Sequence, residues 1–299
     1  SYTYSVNQSN ATVQALNTTS APLSDVFTYT VKDPSGLTGT ATITVSVNGA
    51  NDAAVIGGVS TATLTETNAA QTATGTLTIT DVDSAATFAA QSNTAGSNGY
   101  GKFSLTTAGA WTYTMNTAHD EFVAGTAYTD SFTAVSADGT AKLVTVTING
   151  TNDAAVVTPN ATARSYTENA AAIIANNNVT LVDAENANLV GATVQITSGL
   201  TAGDTLAFTA GNGITGTYDA ATGKLSLAGS ATVLQYQTAL QSVVYSSTSD
   251  NPTASSASRT LKWQVNDGAS ANNLSNLGSS TINVVAVNDA AVIGGTATA

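Results

Sequence analysis

The chain has 299 residues, enough for two or three separately folded cores of ordinary size. It carries 19 acidic residues against 7 basic ones, a net charge of -12, which argues against nucleic acids and anionic membrane surfaces as partners because both are bound by clustered Lys and Arg. It has no cysteine for disulfides or thiolate metal sites, and no apolar stretch approaches the length that spans a bilayer.

Residues 1–52 have the pattern of strands separated by polar turns. SYTYSV, DVFTYTV and ATITVSV alternate apolar and polar residues with the period of two that is typical of a half-buried strand. Asp33, in the turn sequence KDPSG, lies between the last two. The segment ends at the dipeptide Asn51-Asp52.

Residues 53–153 continue the same pattern as one longer unit. TLTIT, FSL, WTYTM and KLVTVTING are predicted strands, bounded by Gly, Asn, Asp and Ser. Trp111 falls in WTYTM, where the alternation favours a position in the core over a sugar-stacking surface.

Residues 154–289 contain the predicted strands TVQIT, KLSL, LKWQV and TINVV, with Trp263 again in a core pattern. One segment departs from strand periodicity. Residues 232–241, TVLQYQTALQ, space their apolar residues as in a short amphipathic helix, which we expect to cap an edge or end of this unit.

The string Asn-Asp-Ala-Ala occurs three times and marks the junctions between units. Its aspartates are Asp52, Asp153 and Asp289, so each interval has a length suited to one sandwich, and the second interval is longer by an insertion. Residues 1–52 align with the second half of the unit at 53–153: SYTYSV matches AWTYTM, and DVFTYTVKDPSG matches DSFTAVSADG.

We therefore predict an all-β fold of tandem immunoglobulin- or cadherin-like β-sandwich repeats in an elongated array. The predicted domains are a C-terminal half-repeat at 1–52, a complete repeat at 53–153, a longer repeat at 154–289 and the first strand of a further repeat at 290–299. A half-sandwich cannot close its own core, so we expect either a longer array or completion of the half-repeat by a neighbouring chain.

Acidic residues recur at four landmarks. A glutamate and then an acidic pair follow each of the first two junction aspartates at spacings that agree to within one position, and another aspartate occupies a turn near the end of each unit. Together with the junctions, these landmarks hold 12 of the 19 acidic residues: Asp33, Asp52, Glu66, Asp81, Asp83, Asp138, Asp153, Glu168, Asp183, Glu185, Asp267 and Asp289.

Clustered carboxylates in turns and linkers repel one another unless a cation neutralises them. Calcium takes roughly six to eight oxygen ligands in irregular geometry, which carboxylates and the carbonyls of a Gly/Asn-rich linker supply. Calcium is therefore the predicted bound ion. Plain turn formation is the alternative, because Asp and Asn are ordinary turn residues.

The sequence contains no catalytic constellation. His119 is the only histidine and stands beside Asp120 without a nucleophile elbow, and GNGITG at residues 211–216 lacks the helix that a dinucleotide fingerprint requires. One histidine and no cysteine also exclude ordinary zinc sites. We predict that the protein is not an enzyme.

The NGTNDAA ending, the WTYT strand and the Asp-Gly turn before the last strand resemble the VCBS repeat of very large bacterial surface and secreted proteins. The longer unit is similar to bacterial cadherin-like repeats, notably in LQYQTALQSVVY and RTLKWQVNDG. These resemblances imply a β-sandwich, export from a Gram-negative cell, often by a type I system as for RTX-type adhesins, and a role in adhesion or biofilm.

Cadherin-type modules bind calcium between successive domains through a glutamate near the first strand, a D-x-D pair and an Asp-Asn linker. The resemblance assigns the glutamate role to Glu66 and Glu168, and the linker role to the three junction aspartates. On this scheme the first junction uses Asp52, Asp81, Asp83 and Asp138. The second uses Glu66, Asp153, Asp183, Glu185 and Asp267.

The leading functional prediction is a calcium-stiffened spacer of a large bacterial adhesin, with neighbouring repeats of the same chain or of like chains as partners. A cell-surface polysaccharide or a protein receptor is the expected further partner. The alternatives are a self-assembling extracellular fibre or sheath subunit, and a module that binds polysaccharide through the insertion in the longer unit.

Overall fold

The computed structural model of the protein describes residues 1–290, so the predicted strand at 290–299 lies, from residue 291 onward, outside the described residues. The chain divides into two compact units. The first contains Ser1–His119 and Gly125–Gly150, and the second contains Asp120–Ala124 and the residues from Thr151 onward. The predicted domain boundaries stay predictions.

The half-repeat at 1–52 forms one short helix and one hairpin. Helix α1 spans Ala11–Gln14, and strands β1 (Leu23–Lys32) and β2 (Thr38–Val47) pair antiparallel. The prediction of a strand at SYTYSV was wrong, because residues 1–6 have no strand conformation. The segment that aligns with it in the complete repeat is held by hydrogen bonds to a strand on each side, and residues 1–52 contain no counterparts of those two strands.

The rest of the first unit is a β-sandwich of a five-stranded and a three-stranded sheet, ordered β3-β5-β8-β7-β6 and β4-β10-β9. All neighbours are antiparallel except β4 and β10, which are parallel. The strands are β3 (Val55–Gly58), β4 (Thr61–Thr65), β5 (Thr72–Thr80), β6 (Gln91–Ala95), β7 (Gly101–Leu105), β8 (Ala110–Met115), β9 (Ala127–Val135) and β10 (Ala141–Asn149).

The inner faces of these two sheets form the core of the first unit. Trp111 and Phe103 come from the larger sheet and Phe132 and Val144 from the smaller one, and all four are buried. The alternating burial of β8 and β10 follows their period-two sequence pattern, which confirms the core position predicted for Trp111. Asp130 is buried in the same core.

The second unit has a six-stranded sheet, β12-β21-β20-β15-β18-β17, a three-stranded sheet, β13-β19-β16, and the pair β11-β14. β12 and β21 are parallel, as β4 and β10 are. The elements are β11 (Val156–Thr158), β12 (Arg164–Thr167), β13 (Ile173–Ile174), β14 (Thr180–Val182), β15 (Asn188–Ser198), β16 (Asp204–Ala207), β17 (Thr215–Asp219), β18 (Lys224–Thr232), α2 (Val233–Gln241), β19 (Val244–Ser247), β20 (Ser258–Asn266) and β21 (Gly278–Val285).

Helix α2 confirms the predicted helix at residues 232–241. Thr232 caps it, with Gln235 completing a capping box, and the helix buries Tyr236 and Leu240 in a core that also contains Trp263. Within residues 1–290, no helix combines the length and apolar character needed to cross a membrane. The described chain is an all-β sandwich protein, as predicted.

Each core contains one buried aspartate with a different set of donors. Asp204 forms an ion pair with Arg259, whose Nε lies 2.6 Å from Asp204 Oδ2, and accepts a hydrogen bond from Tyr245. Asp130 accepts hydrogen bonds from the backbone N–H of Gly101 and from Tyr113. Ion-pair and hydrogen-bond donors offset the cost of burying each charge.

Candidate metal centres

Four predicted aspartates meet at one end of the complete repeat. Asp81 and Asp83 follow β5, Asp52 precedes β3, and Asp138 lies in the turn between β9 and β10. The antiparallel pairing of β3 with β5 places Val55 opposite Thr80, so the linker before β3 comes beside the loop after β5.

Backbone N–H groups of the linker donate to these carboxylates. The N–H of Asp52 donates to Asp83 Oδ2 at 2.8 Å, and the N–H of Ala54 donates to Asp138 Oδ2 at 3.0 Å. The Nδ2 of Asn17, in the half-repeat, donates to the carbonyl of Asp83 at 2.7 Å. We call Asp52, Asp81, Asp83 and Asp138 the first acidic cluster.

The carboxylates of this cluster differ in how well protein donors satisfy them. Hydrogen bonds from Ser136 and Thr140, and from the N–H of Ala54, hold the pKa of Asp138 below its usual range. Asp81 Oδ1 accepts hydrogen bonds from two backbone N–H groups, whereas Asp81 Oδ2 is buried and has no hydrogen-bond partner. A buried acceptor without a partner costs about 1–3 kcal/mol, a cost that a bound cation would offset.

The second unit repeats the arrangement with different side chains. The N–H of Asp153 donates to Glu185 Oε1 at 2.7 Å, as that of Asp52 does to Asp83. Asn152 Nδ2 donates to Asp267 Oδ2 at 3.0 Å. The structure thus brings together the junction, the acidic pair and the late turn, a set we call the second acidic cluster: Asp153, Asp183, Glu185 and Asp267.

Two carboxylates of the second cluster each have one oxygen that no protein donor reaches. Asp183 Oδ2 and Glu185 Oε2 are buried without a hydrogen-bond partner. Burial, reinforced by the charges of Asp183 and Asp153, raises the pKa of Glu185 to about 7. Burial and the charge of Asp267 also raise the pKa of Asp183. Both shifts mean that ionising these two carboxyls costs more free energy in the folded repeat than in water.

The two landmark glutamates lie at the opposite ends of their repeats. Glu66 follows β4, is 1% exposed, and donates its backbone N–H to the carbonyl of Asn149 at the end of β10. Asp138, by contrast, precedes the start of β10, and a nine-residue strand spans roughly 30 Å. Glu66 is therefore a full strand length from the first acidic cluster.

Glu168 has the equivalent position beside β21. Its backbone N–H donates to the carbonyl of Val285, and its Oε2 accepts the N–H of Val287 at 2.7 Å. It is 4% exposed, and its Oε1 is buried without a hydrogen-bond partner. Asp289, two residues beyond Val287, is exposed.

Asp33 stands apart from the clusters. It lies in the exposed turn between β1 and β2, where hydrogen bonds from Ser35 and from the backbone N–H of Leu37 lower its pKa. Its contacts are those of an ordinary Asx turn, so the turn-formation alternative accounts for this aspartate.

Reasoning from the sequence missed Asp120, which it treated only as the neighbour of His119. Asp120 Oδ1 is buried without a hydrogen-bond partner, and the carboxylate oxygens of Asp120 and Asp153 approach within 4.8 Å. The available signal was the pair Asp120-Glu121 in the loop that follows β8. His119 itself lies in this loop, with Nε2 hydrogen-bonded to the carbonyl of Tyr100.

The donor set fits calcium. Every candidate ligand is an oxygen, several carboxylates share each cluster, and neighbouring amides and carbonyls can complete an irregular shell. Buried carboxylate oxygens without hydrogen-bond partners occur in both clusters and beside the last junction: Asp81 Oδ2, Asp183 Oδ2, Glu185 Oε2 and Glu168 Oε1. Bound calcium would supply positive charge at these oxygens.

Residues 51–150 match the model of the bacterial cadherin-like domain family. No curated protein matches the chain. Among solved structures, the chain is similar to a protocadherin gammaB7 EC3-6 cis-dimer structure, with 14% identity, a TM-score of 0.41, and coverage of 87% of this chain and 58% of that one. It is also similar to mouse cadherin-23 EC22-24, with 17% identity, a TM-score of 0.32, and coverage of 77% and 65%. The chain thus spans less than two thirds of either structure.

Proposed function

We propose that the chain is an adhesion spacer: a segment of VCBS- and cadherin-like repeats in a large extracellular protein of a Gram-negative bacterium, stiffened by calcium at its junctions. The family match at residues 51–150 supports a cadherin-like repeat there, in the unit whose sequence resembles the VCBS repeat. The single observation that carries the calcium proposal is the recurrence of one arrangement, in which a junction N–H binds the acidic pair while other carboxylate oxygens of the pair are buried without donors.

The first acidic cluster would hold calcium through Asp52, Asp81, Asp83 and Asp138. The second would hold it through Asp153, Asp183, Glu185 and Asp267, with Asp120 as a further ligand. Glu66 is proposed as a ligand of the second junction on the resemblance to cadherin-type modules, in which a glutamate near the first strand has this role. By the same logic Glu168 would serve the junction at Asp289.

An ion bound at the junction would stiffen the linker between two repeats. A short linker between two repeats acts as a hinge unless contacts fix it, because interfaces between adjacent domains are small. A cation bound to the junction aspartate and to the acidic pair would fix the linker to the repeat that follows it. Extracellular sites with dissociation constants on the order of 10⁻⁴ M suffice in a calcium-rich medium.

Removing calcium tests the proposal. We expect a chelator to lower the thermal unfolding temperature, because an ion at a hundred times its Kd contributes about 2.7 kcal/mol per site. For a unit of this size that is roughly 5–10 °C. Calorimetry with EDTA, calcium and magnesium measures the effect, and small-angle scattering measures the accompanying loss of stiffness.

The matched variants are Asp138→Asn, in the first acidic cluster, and Asp33→Asn, its aligned counterpart in an exposed turn. We expect Asp138→Asn to reduce the calcium-dependent gain in stability and Asp33→Asn to leave it unchanged. Identical unfolding with EDTA and with calcium would defeat the calcium proposal.

A further inference from the structure

Helix α2 is fixed to the sandwich by two of its faces. Its buried face includes Tyr236, which lies in the core of the second unit. On a second face, Gln237 Oε1 accepts the N–H of Leu181 in β14 at 3.0 Å, and Gln241 Nε2 donates to the carbonyl of Val179 at 2.9 Å. The helix residues that lie three and four positions apart on the remaining face are not used in these contacts.

The remaining face of α2 forms one wall of a groove of about 330 Å³. Gln235, Thr238 and Ser242 line this wall, and residues 209–212, in the loop between β16 and β17, line the other. Ser242 Oγ accepts the N–H of Thr209 at 3.0 Å, so a hydrogen bond joins the two walls. The groove is therefore part of the fold, and its volume falls within the range of small-molecule sites, roughly 300–1,000 Å³.

The groove belongs to the extra length of the second unit. Residues 53–153 form their sandwich without a helix, whereas α2 lies in the unit that is longer by an insertion. A repeat of this kind therefore closes its core without a polar helix face beside the sandwich. This difference makes the groove a specific property of the longer repeat.

The side chains that line the groove are uncharged. Among the described residues, no acidic or basic side chain contributes to its walls. A charged ligand would lose its hydration there without gaining a counter-charge, so the groove disfavours ions. The wholly apolar side chains in the lining are the small ones of Ala210 and Ala239, so a hydrophobic ligand would bury little apolar surface against them.

The groove offers both hydrogen-bond donors and acceptors. Gln235 Oε1 accepts the N–H of Thr232 in the capping box, which leaves the two Nε2 hydrogens as donors. Thr238 Oγ1 donates to the carbonyl of Leu234 at 3.0 Å, which leaves its lone pairs as acceptors. Asn212 is exposed in the loop and adds an amide with both kinds of group.

We propose that this groove binds a neutral saccharide, a short stretch of an unbranched polysaccharide that carries hydroxyls and no charge. Each sugar hydroxyl both donates and accepts, so it suits the amides of Asn212 and Gln235 and the hydroxyl of Thr238. An anionic polysaccharide suits the groove less well, because no cation lines it. The proposal gives a location to the polysaccharide partner expected from the sequence, and it does not rest on calcium at the junctions.

NMR titration of the full chain tests the proposal. The ligands are maltohexaose, cellohexaose and laminarihexaose, with oligogalacturonate as the anionic comparison, each added in calcium and in EDTA. We expect at least one neutral ligand to shift, saturably, the backbone amide signals of residues 209–213 and 235–242, and oligogalacturonate to shift none of them. The shifts should be the same in calcium and in EDTA, so the result does not depend on the calcium proposal.

Two side-chain deletions test the assigned groups. Asn212→Gly removes the amide at a φ of 54°, which glycine adopts without strain, and Thr238→Val removes the hydroxyl with little change of shape. Each should weaken saccharide binding by roughly two- to tenfold, the range for one neutral hydrogen bond. The matched controls should bind as the unchanged chain does: Asn93→Gly, also at a positive φ but in the first unit, and Thr217→Val, exposed on β17 outside the groove.

Three results would overturn the proposal. The first is that no neutral ligand shifts the amide signals of the groove, or that the shifts lie elsewhere on the chain. The second is tighter binding of oligogalacturonate, which would assign the partner to anionic polysaccharides. The third is unchanged saccharide affinity in both Asn212→Gly and Thr238→Val when their unfolding temperatures show that they are folded.

Discussion

The two acidic clusters share one backbone arrangement but differ in how their charge is satisfied. In each, the N–H of the junction aspartate donates to the acidic pair, to Asp83 in the first cluster and to Glu185 in the second. Protein donors lower the pKa of Asp138 in the first, whereas burial raises the pKa of Glu185 in the second. The two repeats thus place their carboxylates alike, and we expect the proposed dependence on a cation to differ between the two clusters.

The largest expected difference in stability between the clusters comes from neutralising Glu185, the acid that accepts the N–H of the junction aspartate Asp153. With calcium, Glu185→Gln should remove much of the roughly 2–3 kcal/mol that the ion contributes to the second unit. Without calcium, the same variant should be more stable than the unchanged chain by up to about 1 kcal/mol. Its amide oxygen can still accept the N–H of Asp153, and it carries no partly desolvated negative charge.

The matched variant is Asp83→Asn in the first acidic cluster. It should also weaken calcium binding. Without calcium it should not raise the stability of the chain, because the ionised carboxylate of Asp83 is stabilised by hydrogen bonds from Asp52 and Ser84. Calorimetric unfolding of both variants in EDTA and in calcium distinguishes the clusters. Equal changes in stability for Glu185→Gln and Asp83→Asn under both conditions would mean that the two clusters do not differ in how their charge is stabilised.

An intermediate effect is expected from pH. The folded-state pKa of Glu185, about 7, lies above its ordinary value of 4.5, so the calcium-free folded chain binds more protons between these values. Its stability should be full below pH 4.5 and decline as pH rises through 7, by up to about 1 kcal/mol after allowance for partial exposure. Calcium should reverse this slope, because it binds the ionised carboxylate.

Thermal unfolding from pH 4.5 to 8 in EDTA measures this slope, with Glu185→Gln as the control. The control should lose most of the decline. A decline of the same size in both proteins would assign the pH dependence to other groups.

The smallest expected effect comes from Glu185→Asp, which gives the second pair the composition of the first. The shorter side chain should lose the 2.7 Å hydrogen bond with the N–H of Asp153. Because Glu185 is partly exposed, we expect a cost of about 0.5 kcal/mol without calcium. Unfolding temperature and calcium affinity measure the outcome. Unchanged stability would mean that the linker shifts so that its N–H still donates to the shorter aspartate. The length of the Glu185 side chain would then not be needed for this hydrogen bond.

The sequence predicted the fold well because period-two alternation reports directly on burial. WTYTM and LKWQV became β8 and β20 with their tryptophans in the cores, and the helix at residues 232–241 formed as expected. SYTYSV failed as a strand for a physical reason: alternation shows that a segment suits a sheet, but strand structure needs a hydrogen-bonded neighbour.

The candidate sites could be predicted only in part. Recurrence selected the acidic residues that the structure brings together in the two clusters. It could not show that Glu185, with one more methylene than Asp83, would accept the N–H of its own junction aspartate as Asp83 does. Asp120 was overlooked because the burial of its Oδ1 depends on the tertiary position of a loop without strand periodicity. The sequence also could not show which carboxylate oxygens find hydrogen-bond donors. Asp33 accepts a hydrogen bond from Ser35 in its own turn, whereas Asp81 Oδ2 is buried without a partner.

The parallel pairing of β4 with β10, and of β12 with β21, has a mechanical consequence. Each pair joins a strand near the start of a repeat to its last strand, and both strands run in the same direction. Tension that pulls the ends of the repeat apart therefore acts along the strands, across hydrogen bonds that lie sideways to the load. Several bonds must then break together instead of one after another, so a tethered repeat should resist shear forces from flowing liquid better than a hairpin opened from its end.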